Sequence, residues 1–262
     1  MLAGKCGIVT GGSRGMGRHF IAALVQAGAR VACLARQSPE LDTLTAEFGD
    51  SVMAIPCDVG TAADVDGATE KAAADFGRID FLVNNAAICH PFQLEDATPQ
   101  QVENHLAVNL AGPIWCMRAA IPHLRRSRGH IVSISSESVR MPFPYLSVYA
   151  ATKAGLEAVS AAMRDELRED GIRVTLLRSG SVAGGTLGRE WDPGISAAFY
   201  ATIQRTGHAS FTGDFASPQS MAKALIAALS LPHDVNVDFM EVRATAPARP
   251  DTMARAQGST PL

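Results

Sequence analysis

The sequence predicts an α/β fold built on one doubly wound parallel β-sheet with helices on both faces, and three observations predict it. Short apolar runs alternate with helix-patterned stretches from residue 5 to about residue 242. The first run ends in a glycine-rich turn, Gly11-Gly12-Ser13-Arg14-Gly15-Met16-Gly17, that leads directly into a helix pattern. No linker, repeat or low-complexity block interrupts the rhythm before the tail. A parallel sheet with a crossover helix after each strand buries both kinds of apolar surface at once. The expected three-layer αβα sandwich takes residues 1–262 as a single domain, with a substrate-loop insertion at about 180–215 and a loose tail at about 244–262.

Each element has a local reason. Residues 5–10 (KCGIVT) read as a buried strand, and Phe20, Leu24 and Val25 give the following stretch an apolar side. Gly28-Ala29-Arg30 ends that helix, and residues 31–35 form a second strand, completing a βαβ unit. Ser38-Pro39 pairs an N-cap with proline at the first helical position, so a helix runs towards Phe48. Strands follow at 51–56 and 79–84, with a helix at 62–75 between them. Thr98-Pro99-Gln100-Gln101 is a capping signature for helical sequence that reaches, across a break, about Arg126. A strand at 130–135 leads through Pro142 and Pro144 to an alanine-rich helix with Leu156, Val159, Met163 and Leu167 as its apolar positions. Gly171 stops that helix before a strand at 172–177.

From residue 180 the rhythm changes. The stretch to 215 carries Trp191, Phe199, Tyr200 and Phe211, and Asp192-Pro193 caps a short helix whose Ile195, Phe199 and Ile203 share one side. Such an excursion from the carboxyl edge of a parallel sheet reads either as a substrate lid or as a packing helix over the sheet edge. Ser217-Pro218 caps a final helix (Met221, Leu225, Leu229), and residues 235–242 make the last strand.

Composition narrows the function classes. A formal net charge of −3 offers no global electrostatic case for nucleic acid or for an acidic membrane. The five cysteines (Cys6, Cys33, Cys57, Cys89, Cys116) are scattered and contain no CxxC, which suits free thiols in a reducing cytoplasm and no metal site. Glycines break the first residues too soon for a signal peptide, and no apolar run reaches the length of a membrane span.

The candidate chemistry centres on residues 136–153. Tyr149 and Lys153 are four apart, so on a helix they lie one turn above each other. A phenol beside a fixed ammonium, with the Ser136 hydroxyl brought in from a strand end, makes a proton-transfer device. The glycine turn between strand and helix is the form that cradles a pyrophosphate, with backbone in close approach and a helix N-terminus facing the charge.

Taken in order, Thr10-Gly11-x-x-x-Gly15-x-Gly17, Asp58-Val59, Asn84-Asn85-Ala86-Ala87, Asn109, Ser136 and Tyr149-x-x-x-Lys153 resemble the single-domain, Rossmann-type short-chain dehydrogenase/reductase family across nearly the whole chain. Ser136 lies thirteen residues before Tyr149, the spacing that family uses. The resemblance implies a nicotinamide dinucleotide and interconversion of a carbonyl and an alcohol. It implies that Tyr149 is the general acid in reduction and the base in reverse, and that Lys153 holds the nicotinamide ribose and favours the phenolate. Ser136 is implied to bind the substrate oxygen, and Asn109 to anchor a water relay to Lys153. Gly11, Ser13, Arg14, Gly15, Met16, Gly17, Arg36, Asp58, Val59, Asn85, Ala86 and Val182 are the implied cofactor residues, with Tyr149 and Lys153. The family commonly forms homodimers and homotetramers, and the small-residue stripe Ala154, Ala158, Ala161 and Ala162 permits close helix packing.

Cofactor choice follows from charge. The end of the second strand, where an acidic residue would accept from the ribose hydroxyls of NAD, holds Ala35 followed by Arg36. With Arg14 in the glycine turn, two guanidinium groups and no carboxylate suit the 2′-phosphate of NADP(H). The expected protein is a cytoplasmic NADPH-dependent carbonyl reductase, the aromatic lid favouring an apolar or cyclic ketone. A 3-oxoacyl-thioester reductase and a non-catalytic NADP-binding regulator are the alternatives. Two departures stand out. Ala87 replaces the usual glycine, and Ser179-Gly180-Ser181-Val182 replaces the usual Pro-Gly segment, leaving Thr186 two positions late. Cys89-His90 reads as a pocket flank or a solvated loop, and Arg125, Arg126, Arg128 and His130 read as a basic cluster that meets an acidic partner such as an acyl carrier protein or complements a helix C-terminus.

Overall fold

The structure is a computed structural model that describes residues 1–184 and 190–246. Its strands are β1 (Cys6–Thr10), β2 (Arg30–Ala35), β3 (Val52–Pro56), β4 (Phe81–Asn84), β5 (His130–Ser136), β6 (Arg173–Ser179) and β7 (Phe239–Val242). They form one seven-stranded sheet in the order β3-β2-β1-β4-β5-β6-β7, and every pairing is parallel. The direction of winding reverses between β1 and β4, and such a switch opens a crevice at the carboxyl ends of those strands.

The pleat sends successive side chains to two cores. Val31 and Cys33 of β2 join one, and Ala32 and Leu34 join the other. The first core is closed by α1 (Gly15–Gln26), α2 (Pro39–Phe48) and α9 (Pro218–Leu229), through Phe20, Leu24, Leu41, Met221 and Leu225. The second is closed by α3 (Ala62–Phe76), α5 (Gly112–Ser127) and α6 (Ser147–Glu166), through Val65, Ala72, Met117, Leu124 and Val159. The sandwich of three layers is the expected one.

The caps read from the sequence form as hydrogen bonds. Ser38 accepts from the Leu41 N–H, and Thr98 with Gln101 makes a reciprocal capping box at the start of α4 (Pro99–Leu106). Asp192 accepts from the Ile195 N–H at the start of α7 (Pro193–Arg205), and Ser217 from the Ser220 N–H at the start of α9. The expected break before Arg126 is a π-helical turn, Ala107–Ala111, between α4 and α5. The stretch after β6 holds α7 and the short α8 (His208–Thr212).

Three expectations need adjusting. His130 does not join a surface basic cluster: it is buried in β5, and its Nε2 lies 2.7 Å from the Thr175 hydroxyl. β7 starts at Phe239 rather than at 235, because the Asn236 side chain turns back to donate to the Val174 carbonyl at 3.0 Å. Thr186 and residues 247–262 of the tail lie outside the described residues. Among the described residues no helix is long and apolar enough to cross a membrane.

The α1–α9 contact against the first core supplies a stability test. Leu225 is fully buried there with Phe20 and Met221. Leu225→Ala is expected to cost about 2–5 kcal/mol, the range for leaving a cavity in a packed core. Urea unfolding monitored by circular dichroism reads this as a lower midpoint with unchanged slope, and an unchanged midpoint contradicts the packing described.

Candidate active site

The crevice at the switch between β1 and β4 has a rigid floor. The Thr10 hydroxyl at the end of β1 accepts from the backbone N–H groups of Asn85 and Ala86, both at 3.0 Å. The Asn85 side chain returns the tie, donating to the carbonyls of Thr10 at 2.9 Å and Gly11 at 3.1 Å. Its amide therefore holds the shape of the glycine turn. Within that turn Gly11 has φ +64° and Gly15 φ +55°. A Cβ on Gly17 would stand 2.2 Å from the Gly11 carbonyl oxygen and 2.9 Å from Gly12 Cα, so only glycine lets α1 come this close to the turn. Arg14 is the N-cap of α1 and makes no side-chain cap, which leaves the N-terminus to an outside acceptor.

Ser136 closes β5, and its Oγ accepts from the Ser138 N–H at 3.2 Å. The loop that follows turns through Tyr145 at φ +68°, a strained conformation for a residue with a Cβ. It is held there by the Phe92 N–H, which donates to the Tyr145 carbonyl at 3.0 Å. The loop delivers the first turn of α6, with Tyr149 and Lys153 both buried. The Ser136 hydroxyl stands near the Tyr149 phenol and lowers its value slightly against the larger effect of burial, and Lys153 Nζ lies 5.9 Å from the centre of the Tyr149 ring. That ammonium donates to the Ile134 carbonyl at 2.9 Å, which pins it against β5. Burial dominates the electrostatics of both groups: it pushes the Tyr149 phenol well above its ordinary value and Lys153 down to about 8.

Asn109 sits in the π-helical turn with no exposed surface. Its Oδ1 accepts from the Ile88 N–H, its Nδ2 donates to the Ile88 carbonyl, both at 2.8 Å, and Nδ2 also reaches the Thr152 hydroxyl at 3.3 Å. The extra residue of such a turn aims a side chain that a regular helix would direct elsewhere. Asn109 thus ties the loop after β4 to α6, one residue from Lys153. Asp58 accepts from the Gly60 N–H at 2.9 Å, Val59 packs against Gly112, and Val182 bridges to Ala216 in parallel fashion. Arg36 and Asp58 line a cleft of about 430 Å³ with His90, Val108, Glu190 and Trp191.

Over Tyr149 lies a separate apolar cluster of Cys89, Phe143, Leu146, Phe199 and Ile203, backed by Tyr145, Trp191, Tyr200 and Phe211. Phe199, Ile203 and Trp191 of the stretch after β6 thus pack in one cluster with Tyr149. Cys89 is buried in this cluster, where burial pushes its thiol up to about 12, and His90 lines the cleft. His90 presents its N–H to Nε2 of the buried His105 at 3.2 Å. Two ties had no sequence signal. Trp191 Nε1 donates to the Cys89 carbonyl at 2.6 Å, and Arg14 Nη1 donates to Glu190 Oε1 at 2.7 Å. Glu137, next to Ser136, is buried too and accepts from Thr212 at 3.0 Å and Ser181 at 3.2 Å, with Arg243 beside it. Capping rules and motif spacing reach only residues close in sequence.

Comparison with known proteins agrees with this geometry. The profile of a family described as short chain dehydrogenase matches residues 5–193. An uncharacterized oxidoreductase of Staphylococcus aureus (strain USA300) is 29% identical over 245 residues, which cover 93% of this chain and 98% of that protein. Among solved structures, the 3-ketoacyl-(acyl-carrier-protein) reductase from Brucella melitensis, complexed with NADH, is 26% identical with a TM-score of 0.80. That similarity covers 92% of this chain and 98% of the other. A serine dehydrogenase complexed with NADP+ in its closed form is 26% identical with a TM-score of 0.81, covering 91% and 94%.

The buried ammonium has a measurable consequence. Lys153 titrates near about 8 in the folded chain and at 10.5 when unperturbed, so between those values the unfolded chain binds more protons. Stability from this group therefore rises with pH across that window, and burying the charge costs stability below it. Lys153→Met is expected to stabilise the cofactor-free protein at pH 7 by up to about 3 kcal/mol, less the lost bond to Ile134. The gain should shrink as pH climbs towards 10.5. Urea titrations of both proteins at pH 7 and pH 10 check it, and a destabilised variant at pH 7 contradicts it.

Proposed function

Because the chain belongs to the short chain dehydrogenase family, we propose that it is an NADP(H)-dependent oxidoreductase interconverting a ketone or aldehyde and the corresponding alcohol. The observation that supports this reading is the placing of the Ser136 hydroxyl and the Lys153 ammonium beside the Tyr149 phenol, which is buried within an apolar cluster. The glycine turn suits a dinucleotide, since Gly17 lets α1 start tight against the turn and the first turn of α1 lacks a side-chain cap. Gly11, Ser13, Arg14, Gly15, Met16 and Gly17 would hold its phosphates. Arg14 and Arg36 would meet a 2′-phosphate, and Asp58, Val59, Asn85, Ala86, Val182 and Lys153 would line the rest of the site. When bound, the nicotinamide supplies hydride to the carbonyl carbon.

The chain's own residues handle the proton. Burial keeps the Tyr149 phenol protonated, so it stands ready as a donor to the carbonyl oxygen. The phenolate left behind is a buried anion, and the protonated Lys153 beside it is the charge that stabilises it. Ser136, beside the phenol, steadies the same substrate oxygen. Asn109 would anchor the water relay that returns a proton towards Lys153, its polar atoms fixed by Ile88. Cys89, Phe143, Phe199 and Trp191 exclude water from the reacting centre, and their surface favours an apolar or cyclic ketone. The similarity to a 3-ketoacyl-(acyl-carrier-protein) reductase supports a second reading, a 3-oxoacyl thioester. The exposed alanines of α6 (Ala154, Ala158, Ala161, Ala162) would serve as the contact between copies in a homodimer or homotetramer.

Two measurements test the proposal. Tyr149→Phe is expected to bind NADPH as tightly as the unaltered protein while reduction across a ketone panel falls roughly 10²–10⁴-fold, the usual contribution of a general acid. Undiminished reduction would falsify the proton-transfer role, and no reduction by the unaltered protein would favour a cofactor-binding regulator. For cofactor choice, kcat/KM with NADPH should exceed that with NADH, and Arg36→Ala should cut the NADPH value roughly tenfold or more, the worth of a charge-assisted hydrogen bond. Equal use of NADH contradicts the NADP(H) assignment.

A further inference from the structure

Two consecutive residues of the segment after β6 fasten to opposite banks of the dinucleotide crevice. Trp191 donates to the Cys89 carbonyl in the loop after β4, and Glu190 takes the Arg14 guanidinium of the glycine turn after β1. β1 and β4 are the two strands between which the crevice opens. Arg14 is also one of the two cations that would meet a 2′-phosphate. The other, Arg36, lines the same cleft as Glu190, as does His90. Arg14 first, then His90 and Arg36, hold the Glu190 carboxyl below the usual carboxylate range, so it is an anion in a field of cations.

We propose that Glu190 is a residue that sets cofactor specificity from the lid, its carboxylate occupying the Arg14 guanidinium that the 2′-phosphate of NADP(H) must take. The inference rests on the NADP(H) reading above. The charge logic is one of competition. A guanidinium carries five N–H donors in a planar fork, and the Glu190 carboxylate at 2.7 Å takes the Nη1 end, one of the positions open to a phosphate oxygen, while setting a negative charge beside it. NADPH displaces Glu190 and loses part of its binding free energy in doing so. NADH carries a hydroxyl at that position and leaves the ion pair in place. Both side chains of the pair are about half exposed, 42% and 54%, so its strength is that of a surface ion pair. Glu190 therefore moderates a preference whose origin is the two arginines, and couples release of the lid anchor to arrival of the phosphate.

The test is equilibrium binding, read without turnover. Trp191 adjoins Glu190, so quenching of tryptophan fluorescence reports NADPH and NADH titrations of the unaltered protein, Glu190→Gln and the control Glu169→Gln. Glu169 carries the same charge on the exposed surface beyond α6, near the amino edge of the sheet. Glu190→Gln is expected to tighten NADPH roughly two- to fivefold, which corresponds to an ion pair of about 0.5–1 kcal/mol. NADH affinity should not change, and Glu169→Gln should change neither. Unchanged NADPH affinity in Glu190→Gln overturns the inference. Equal tightening of both cofactors also overturns it, since that would mean a looser lid, and so does weakened NADH, since that would make Glu190 a ribose ligand. The parent reading fails separately, if the unaltered protein binds NADH as tightly as NADPH; the ratio between variants remains readable in that case.

Discussion

The parallel pairing of β1 with β4, locked by Thr10 and Asn85, is the constraint on which the rest depends. Parallel strands that are neighbours in space but separated in sequence must send their continuations to opposite faces, so the chain ends splay apart. Here the splay is fixed by four hydrogen bonds among Thr10, Gly11, Asn85 and Ala86, which settle where the glycine turn stands relative to the loop after β4. One bank of the crevice is then the N-terminus of α1, and the other is the backbone around Ile88. Asn109 grips that second bank from the π-helical turn and carries its position on to Thr152 and the start of α6. Tyr149 and Lys153 are thus held in register with the glycine turn through the short side chains of Thr10, Asn85, Asn109 and Thr152, of which Asn109 is fully buried.

The site keeps two groups away from their solution behaviour by burying them. Burial disfavours the charged form of both groups, keeping the Tyr149 phenol neutral within the cluster of Cys89, Phe143, Leu146 and Phe199 and lowering Lys153 to about 8. Burying these groups disfavours their charged forms in the cofactor-free chain; in the reaction proposed above, an anion formed at Tyr149 would be met by the Lys153 charge. Folding and chemistry pull in opposite directions at this point, as they commonly do where residues are held in unfavourable settings. The strained backbone at Tyr145 belongs to the same region and is held by the Phe92 tie.

How much was legible beforehand varies with the range of the interaction. The helix starts at Pro39, Pro99, Pro193 and Pro218 were readable because an N-cap side chain binds an N–H two or three residues away. The turn 11–17 was readable because only glycine tolerates its close approach, and Tyr149 with Lys153 because they stand one helical turn apart within the ordered family motifs. His130 misled because a histidine beside arginines looks solvated, whereas a strand's alternation sent it inwards to Thr175. The break before Arg126 was visible as an interruption, yet nothing local said it would be a π-helical turn aimed at Ile88. Whether the stretch after β6 covers the site or packs on the sheet could not be decided from its own pattern, since an apolar helix side looks the same in both cases.

The sequence by itself determined the layered parallel fold and the glycine turn, because these rest on local propensity and period, and the ordered family motifs pointed to Ser136, Tyr149 and Lys153 where spacing alone would not. Tertiary structure alone decided the company those residues keep. It brought Cys89 and Phe199 over the phenol, buried Glu137 against Thr212, and set Glu190 on Arg14 across 176 positions of sequence. Contacts of that range depend on how strands are ordered and where loops cross a crevice, and a linear pattern carries neither.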